Sequence, residues 1–455
     1  MKLTVCLLLC CATIHAAQVP QFQDGDRVCF VGDSITHGGS YHSVVYLYYL
    51  TRFPNREIRV WNKGISGDRV HRVLHRLDED IALAKPTVAT VMLGMNDVGG
   101  WLYGSNKTDA ASQQAQQKEL ERYYHDMAAL IHEFEAIDSE VVLVTPSIYD
   151  QTAELKTHND FGRNDGLGKC ADFVKRTASS KGQGFVDFYE AMGVINAQVQ
   201  RDDPAATIVG ADRVHPGADP GHFIMGYLFL KAQGVPQLVS RMVLDAKAKR
   251  VLEAANSSVS DAQFGDGSLS FTALEYALPF PQTESIAKGL ALLPFEQEMN
   301  QELLSVKNLP DGDHTLSIDG IAVGAWSAAQ FSEGINLASN ELTPQYQQAL
   351  KVKQLNDTRN HLNSQMRDAA FTFYNSGLSE SDVDVDDPTA VEAFLAEKLK
   401  DVEEQPWYAY YKENFDAYSE IRAQEDQIRS ELETLHERLY QVNQPVVHHY
   451  TLIQE

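Results

Sequence analysis

From Arg27 to about Leu230, short runs of apolar and β-branched residues alternate with longer stretches whose apolar positions recur at helical spacing. The runs are Val28-Cys29-Phe30-Val31, Ile58-Arg59-Val60-Trp61, Val88-Ala89-Thr90-Val91-Met92-Leu93, Val141-Val142-Leu143-Val144 and Phe185-Val186-Asp187-Phe188. Most lack a polar face, as expected of parallel strands covered by helices on both sides. Helix-length segments lie between them, around His42–Phe53, Arg69–Ala84 and Ser112–Ala136. This alternation predicts a three-layer α/β unit over residues 18–244 with five parallel strands. Asp219-Pro220 offers an N-cap and a first-turn proline for a closing helix through Leu230.

After about Leu244 the pattern changes. Short alternating runs such as Leu269-Ser270-Phe271, Leu304-Ser305-Val306 and Thr315-Leu316-Ser317-Ile318, the last leading to a hairpin turn at Asp319-Gly320, predict a small β-rich module over residues 245–342. From Thr343-Pro344 the pattern is helical to about Val442, so residues 343–455 are expected to form a helical segment. Within it, Ile421, Ile428, Leu432, Leu435, Leu439 and Val442 follow the spacing of a helix that packs along another helix.

The first residues read as a leader rather than as fold. Met1-Lys2, the apolar run Leu3–Ile14 and the small-residue exit His15-Ala16-Ala17 have the pattern of a secretory signal over residues 1–17, so a secreted or periplasmic protein is expected. No later segment has the length and apolarity of a membrane span. Removing the leader removes Cys6, Cys10 and Cys11. Only Cys29 and Cys170 remain, which makes no disulfide framework and leaves both a single bridge and two buried thiols open.

The formal charge of −25 argues against nucleic acid or an anionic bilayer as the main partner, since Coulomb repulsion opposes both. The charge is unevenly spread. Residues 341–455 hold 10 Lys+Arg against 22 Asp+Glu. Their acidic run Asp382–Asp387 lacks the glycine turn and distal glutamate of a calcium loop and reads as a solvated stretch before a helix at Pro388.

Candidate chemistry gathers at the carboxyl ends of the predicted strands, the edge at which open α/β sheets bind ligands. Ser34 follows the first strand in Gly32-Asp33-Ser34-Ile35, where it could be a nucleophile or an ordinary helix-capping serine. The second strand ends in Asn62-Lys63-Gly64-Ile65-Ser66-Gly67-Asp68-Arg69, whose glycines expose backbone N–H groups at a strand-to-helix junction. Gly94-Met95-Asn96-Asp97 places a carboxamide after the third. Asp212-Arg213-Val214-His215-Pro216, just before the closing helix, provides a histidine with a carboxylate three residues ahead, a spacing at which the carboxylate can accept from Nδ1–H and leave Nε2 to take a proton. Each motif alone is ordinary turn chemistry. Together they make a nucleophile, two donor elements and an oriented base on one sheet edge.

Gly32-Asp33-Ser34, Gly67, Gly94-Met95-Asn96-Asp97 and Asp212-Arg213-Val214-His215 stand in the order of the sequence blocks of the SGNH (GDSL-type) hydrolases, and the chain resembles that family over residues 24 to about 235. The resemblance implies a flavodoxin-like α/β sandwich and a serine esterase that needs neither metal nor cofactor. It implies Ser34 as nucleophile, His215 as general base, Asp212 as its orienting carboxylate, and an oxyanion hole from the N–H groups of Ser34 and Gly67 with the amide of Asn96. Gly67 matches rather than Gly64 because it immediately precedes the helix.

The substrate is expected to be an acylated small molecule or polysaccharide. Export and the aromatics near the motifs, Tyr41, Trp101 and Tyr103, favour an O-acetyl group on carbohydrate, although each aromatic also suits core packing. A lipolytic or aryl esterase is the alternative. A binding or structural protein with a vestigial site is a third reading, against which the intact Ser34, Asp212 and His215 set counts.

Overall fold

The computed structural model describes residues 18–455, so the expected leader at residues 1–17 lies outside the described residues. In the amino-terminal half, five parallel strands form one sheet: β1 (Arg27–Gly32), β2 (Arg59–Asn62), β3 (Val88–Met92), β4 (Glu140–Val144) and β5 (Phe185–Val186), in the order β2-β1-β3-β4-β5. Around it pack α1 (Ser34–His37), α2 (Tyr41–Arg52), α3 (Val70–His75), α4 (Ala110–Ala136), α5 (Arg163–Lys181), α6 (Phe188–Asp202) and α7 (Phe223–Ala232). Every residue of β3 is buried, as an apolar run without a polar face requires. Because β1 lies between β2 and β3, the chain winds in both directions from it, which opens a crevice at the carboxyl ends of β1 and β3.

Some local expectations are corrected. The helix expected over Arg69–Ala84 is only α3, followed by a widened turn at Leu77–Ile81 that carries Asp80 into a buried ion cluster. Asp219 does not cap the closing helix. Its carboxylate accepts from the N–H groups of Lys288 and Gly289 at 2.9 and 2.7 Å and so caps a later helix, α8 (Ala287–Leu292). Helix α5 carries no clear helical pattern because it contains Gly166 and Gly168; a Cβ there would come within 2.4 and 2.8 Å of the hydroxyls of Tyr103 and Tyr189, which pack against it. Cys29 and Cys170 are both buried and free, so the possible bridge is not made.

The second half holds two further sheets. Strands β6 (Leu238–Asp245), β7 (Arg250–Ala255), β8 (Ser257–Gly265) and β9 (Ser268–Glu275) are followed by α8, α9 (Phe295–Met299), β10 (Gln301–Lys307), β11 (Asp313–Ile318), β12 (Ile321–Ser327), α10 (Ala328–Glu333) and β13 (Ile335–Asn336). One sheet runs β13-β10-β6-β7, and β6, inside the range expected for the α/β unit, pairs with β10 rather than with the parallel sheet. Then come α11 (Pro344–Asn375), α12 (Pro388–Lys400), α13 (Tyr408–Ala423) and α14 (Glu425–Val442). Asp387, last of the acidic run, caps α12 through the N–H groups of Thr389 and Ala390. The expected seam is real but divided: Ile421 ends α13, while Ile428 and Leu435 of α14 pack with Leu362 of α11. A strand follows that the helical pattern does not anticipate. β14 (Val447–Gln454) returns to the middle of the second sheet, β12-β11-β14-β9-β8.

Helix α11 lies across the α/β unit. Asn356 donates to Ser43, the buried Arg359 donates to the carbonyl of Val60 over the ring of Tyr46, and Arg367 makes a bidentate pair with Asp80 at 2.9 Å through both nitrogens. Lys63 and Arg76 also pair with Asp80, and these three cations overcome its burial and hold its carboxyl well below the usual range.

Candidate active site

The strand ends deliver the site. Asp33 caps α1 by accepting from the N–H of Ile35 at 3.0 Å, which places Ser34 first in the helix, above the end of β1. Gly32 is needed for space: a Cβ would meet the Thr36 hydroxyl at 2.2 Å and the Met92 carbonyl at 2.9 Å. Burial raises the Asp33 carboxyl to about 6, with the Ile35 hydrogen bond opposing it.

His215 and Asp212 come from the loop before α7. Ser34 Oγ lies 2.8 Å from His215 Nε2, and His215 Nδ1 lies 2.5 Å from Asp212 Oδ2. The second carboxylate oxygen of Asp212 accepts from the N–H groups of Val214 and His215, both at 3.0 Å. Partial burial pushes the Asp212 carboxyl up, but the hydrogen bonds from the His215 ring and from these two amides outweigh it and hold the group well below the usual carboxylate range. Between them, Arg213 sits at φ +70°, a costly conformation for a residue with a Cβ. Its buried guanidinium holds the loop there by donating to the carbonyls of Asp150, Ala153, Leu155, Thr157 and His158.

The two donor elements border the same cavity. Gly67 adopts φ +82° with no atom closer than 3.8 Å to an added Cβ, so conformation rather than space calls for glycine. Asn96 Nδ2 donates to the Asp68 carbonyl at 2.9 Å, which pins the carboxamide to the Gly67 loop and leaves its second N–H available. The serine, the imidazole and both donor elements thus line one cavity of about 1060 Å³. The arrangement can move a proton from a serine hydroxyl to an imidazole and present N–H groups to an adjacent oxyanion.

Of the three expected aromatics, only Trp101 lines this cavity, 61% exposed, with the Arg69 guanidinium 4.7 Å from its ring centroid. Tyr41 is buried between Phe30 and Phe188, its hydroxyl 3.0 Å from that of Thr36, and Tyr103 packs against Gly166; both are core residues, which corrects the expectation. Residues outside the motifs complete the walls. Arg163 donates to the Met95 carbonyl and pairs with Asp160, while Phe371, Trp407, Tyr410 and Tyr411 arrive from the carboxyl-terminal helices. The aromatic density of Trp407-Tyr408-Ala409-Tyr410-Tyr411 is a signal the sequence does carry. Among the described residues, no three His, Cys, Asp or Glu side chains group as a metal site.

A parallel sheet with serine, glycine and asparagine elements at its carboxyl edge defines a class, the SGNH hydrolases. Residues 30–219 match the model of the GDSL-like lipase/acylhydrolase family, and the chain belongs to that family, as a carboxylic ester hydrolase with a serine nucleophile. It is 30% identical over 235 residues to an acetylxylan esterase of Geobacillus stearothermophilus, covering 98% of that protein and 48% of this chain. It is also similar along its length to the solved structure of a gut microbial diltiazem-metabolizing enzyme, at 34% identity and a TM-score of 0.84, covering 97% of this chain and all of that one.

Proposed function

We propose that the protein is an exported esterase that removes O-acetyl groups from carbohydrate, with Ser34 as nucleophile, His215 as general base and Asp212 as its orienting carboxylate. The observation that carries the catalytic assignment is the 2.8 Å contact between Ser34 Oγ and His215 Nε2, made by residues 181 positions apart. In this mechanism Oγ attacks the acyl carbon as its proton passes to Nε2. The N–H groups of Ser34 and Gly67 and the amide of Asn96 receive the oxyanion, each donor being worth roughly 3 kcal/mol of barrier. The C–O bond then breaks, the proton on Nε2 goes to the departing alcohol, and an acyl-serine remains. Water, losing a proton to His215, attacks that ester; the acyl C–Oγ bond breaks, the proton on Nε2 returns to Ser34 Oγ, and the acid is released.

The likeness to an acetylxylan esterase, covering nearly the whole of that protein, supports acetylated carbohydrate. A second reading, an esterase of small or aryl esters, draws support from the full-length likeness to a diltiazem-metabolizing enzyme. Acetate release from acetylated xylo-oligosaccharides, set beside p-nitrophenyl esters of increasing acyl length, separates the two: the proposal expects efficient oligosaccharide deacetylation and fails on a steep preference for long acyl chains. Ser34→Ala is expected to abolish both activities while the near-ultraviolet circular dichroism stays as in the wild type.

A further inference from the structure

An acetyl group fills only a small part of a cavity of about 1060 Å³, so most of the space beside Ser34 is available to the alcohol portion of the ester. Aromatic rings from two parts of the chain border that space. Trp101 belongs to the α/β unit; Trp407 and Tyr410, one turn apart at the start of α13, belong to the carboxyl-terminal helices. Trp101 is 61% and Trp407 49% exposed. Arg69 covers one face of Trp101, and the indole surface that the two tryptophans still expose in one cleft is an apolar patch of the kind that marks a ligand groove.

The helical wall is tied to the Ser66–Gly67 loop. The Tyr410 hydroxyl lies 3.0 Å from Ser66 Oγ. Asn375 accepts from Arg72 at 2.8 Å and donates to the Ser66 carbonyl at 3.4 Å. The buried His37 accepts from the Ser66 N–H through Nδ1, while its Nε2–H donates to Asp368 at 3.1 Å. Three side chains from α11 and α13 thus set the register between the aromatic wall and the loop that carries Gly67.

We propose that the carboxyl-terminal helices form the leaving-group subsite, where the sugar ring of an acetylated oligosaccharide lies between Trp101 and the Trp407–Tyr410 face. The inference rests on the carbohydrate reading above. A pyranose matches this mixed lining: its C–H faces stack on indole, and its hydroxyls suit polar lining groups such as Arg72. A flexible acyl chain would use the rings but not the donors, and the cleft opens to solvent as a polymer requires.

The test compares wild type with Trp101→Ala, Trp407→Ala and, as a control on an exposed aromatic far along the chain, Tyr276→Ala. The measured quantity is the ratio of kcat/KM for acetylated xylo-oligosaccharide to that for ethyl acetate, which has no ring to stack. Stacking of about 1–1.5 kcal/mol per ring predicts a fall of this ratio by roughly tenfold in each tryptophan variant, carried by KM, and none in Tyr276→Ala. An unchanged ratio in both tryptophan variants, with wild type active on the oligosaccharide, overturns the subsite and leaves the carbohydrate reading standing. Absence of oligosaccharide turnover by wild type overturns both.

Discussion

The two regions that meet at the active site contribute to it in different ways. In the α/β unit, Ser34, Gly67 and Asn96 follow directly on strand ends, so the position of each is set by a turn of a few residues and by the parallel sheet beneath. In the helical segment, Phe371, Trp407, Tyr410 and Tyr411 reach the same cavity only because α11 docks against α2 and β2 and carries α13 with it. The chemistry therefore tolerates little local change. The wall depends instead on contacts spanning hundreds of residues, such as the bond between His37 and Asp368, 331 positions apart.

The sharpest way to separate the regions is to disable one without disturbing the other. Asp212→Asn preserves the shape of the loop but loses the carboxylate that orients His215, and kcat is expected to fall by about 10⁴-fold, with Tm close to that of wild type. Thermal unfolding and steady-state kinetics together check this. The joint is attacked by Asp80→Ala, which strands the buried Arg367 and leaves Arg76 with Asp68 as its remaining carboxylate partner. Removing one member of such a cluster is expected to cost about 3–5 kcal/mol in urea unfolding. A transition that splits in two would show that the regions fold separately; a single shifted transition would show that they fold as one body.

Asp97 tests the α/β side alone. Burial raises its carboxyl to about 7 despite the hydrogen bond from the Val70 N–H, and its second oxygen has no partner. Its folded value lies above the ordinary one, so the group costs nothing at acid pH, and stability is lost as pH rises through 7. Asp97→Asn keeps the bond to Val70 and removes the ionisation. It is expected to be about 4 kcal/mol more stable than wild type at pH 8.5 and about equal to it near pH 3, read from urea midpoints at the two pH values. The smallest effect concerns the contact between the regions. Tyr410→Phe keeps the ring but removes one of the bonds that hold Ser66, and a loss of about 1 kcal/mol should lower kcat severalfold on ring-bearing and simple esters alike. A change confined to the ring-bearing ester would assign the hydroxyl to the substrate instead of the loop.

The sequence by itself determined the parallel sheet, the serine and both donor elements, because each depends on short strands and strand-to-helix junctions whose residue types leave few alternatives, and the Asp-x-x-His loop, because its spacing is local. The β-rich and helical character of the second half was legible for the same reason, from periodicity and turn residues. What only the tertiary structure decided lies in long-range packing. Tyr41 and Tyr103 sit as close in sequence to the motifs as Trp101, yet the core claims them and leaves Trp101 to the cavity. The aromatic density around Trp407 and Tyr410 does not say which cavity they line, and the capping of α8 by Asp219 and the return of β14 to the centre of its sheet have no local signal at all. Backbone turns are decided by neighbouring residues, whereas a cavity wall is decided by which distant surfaces bury each other, and here that depends on the docking of α11.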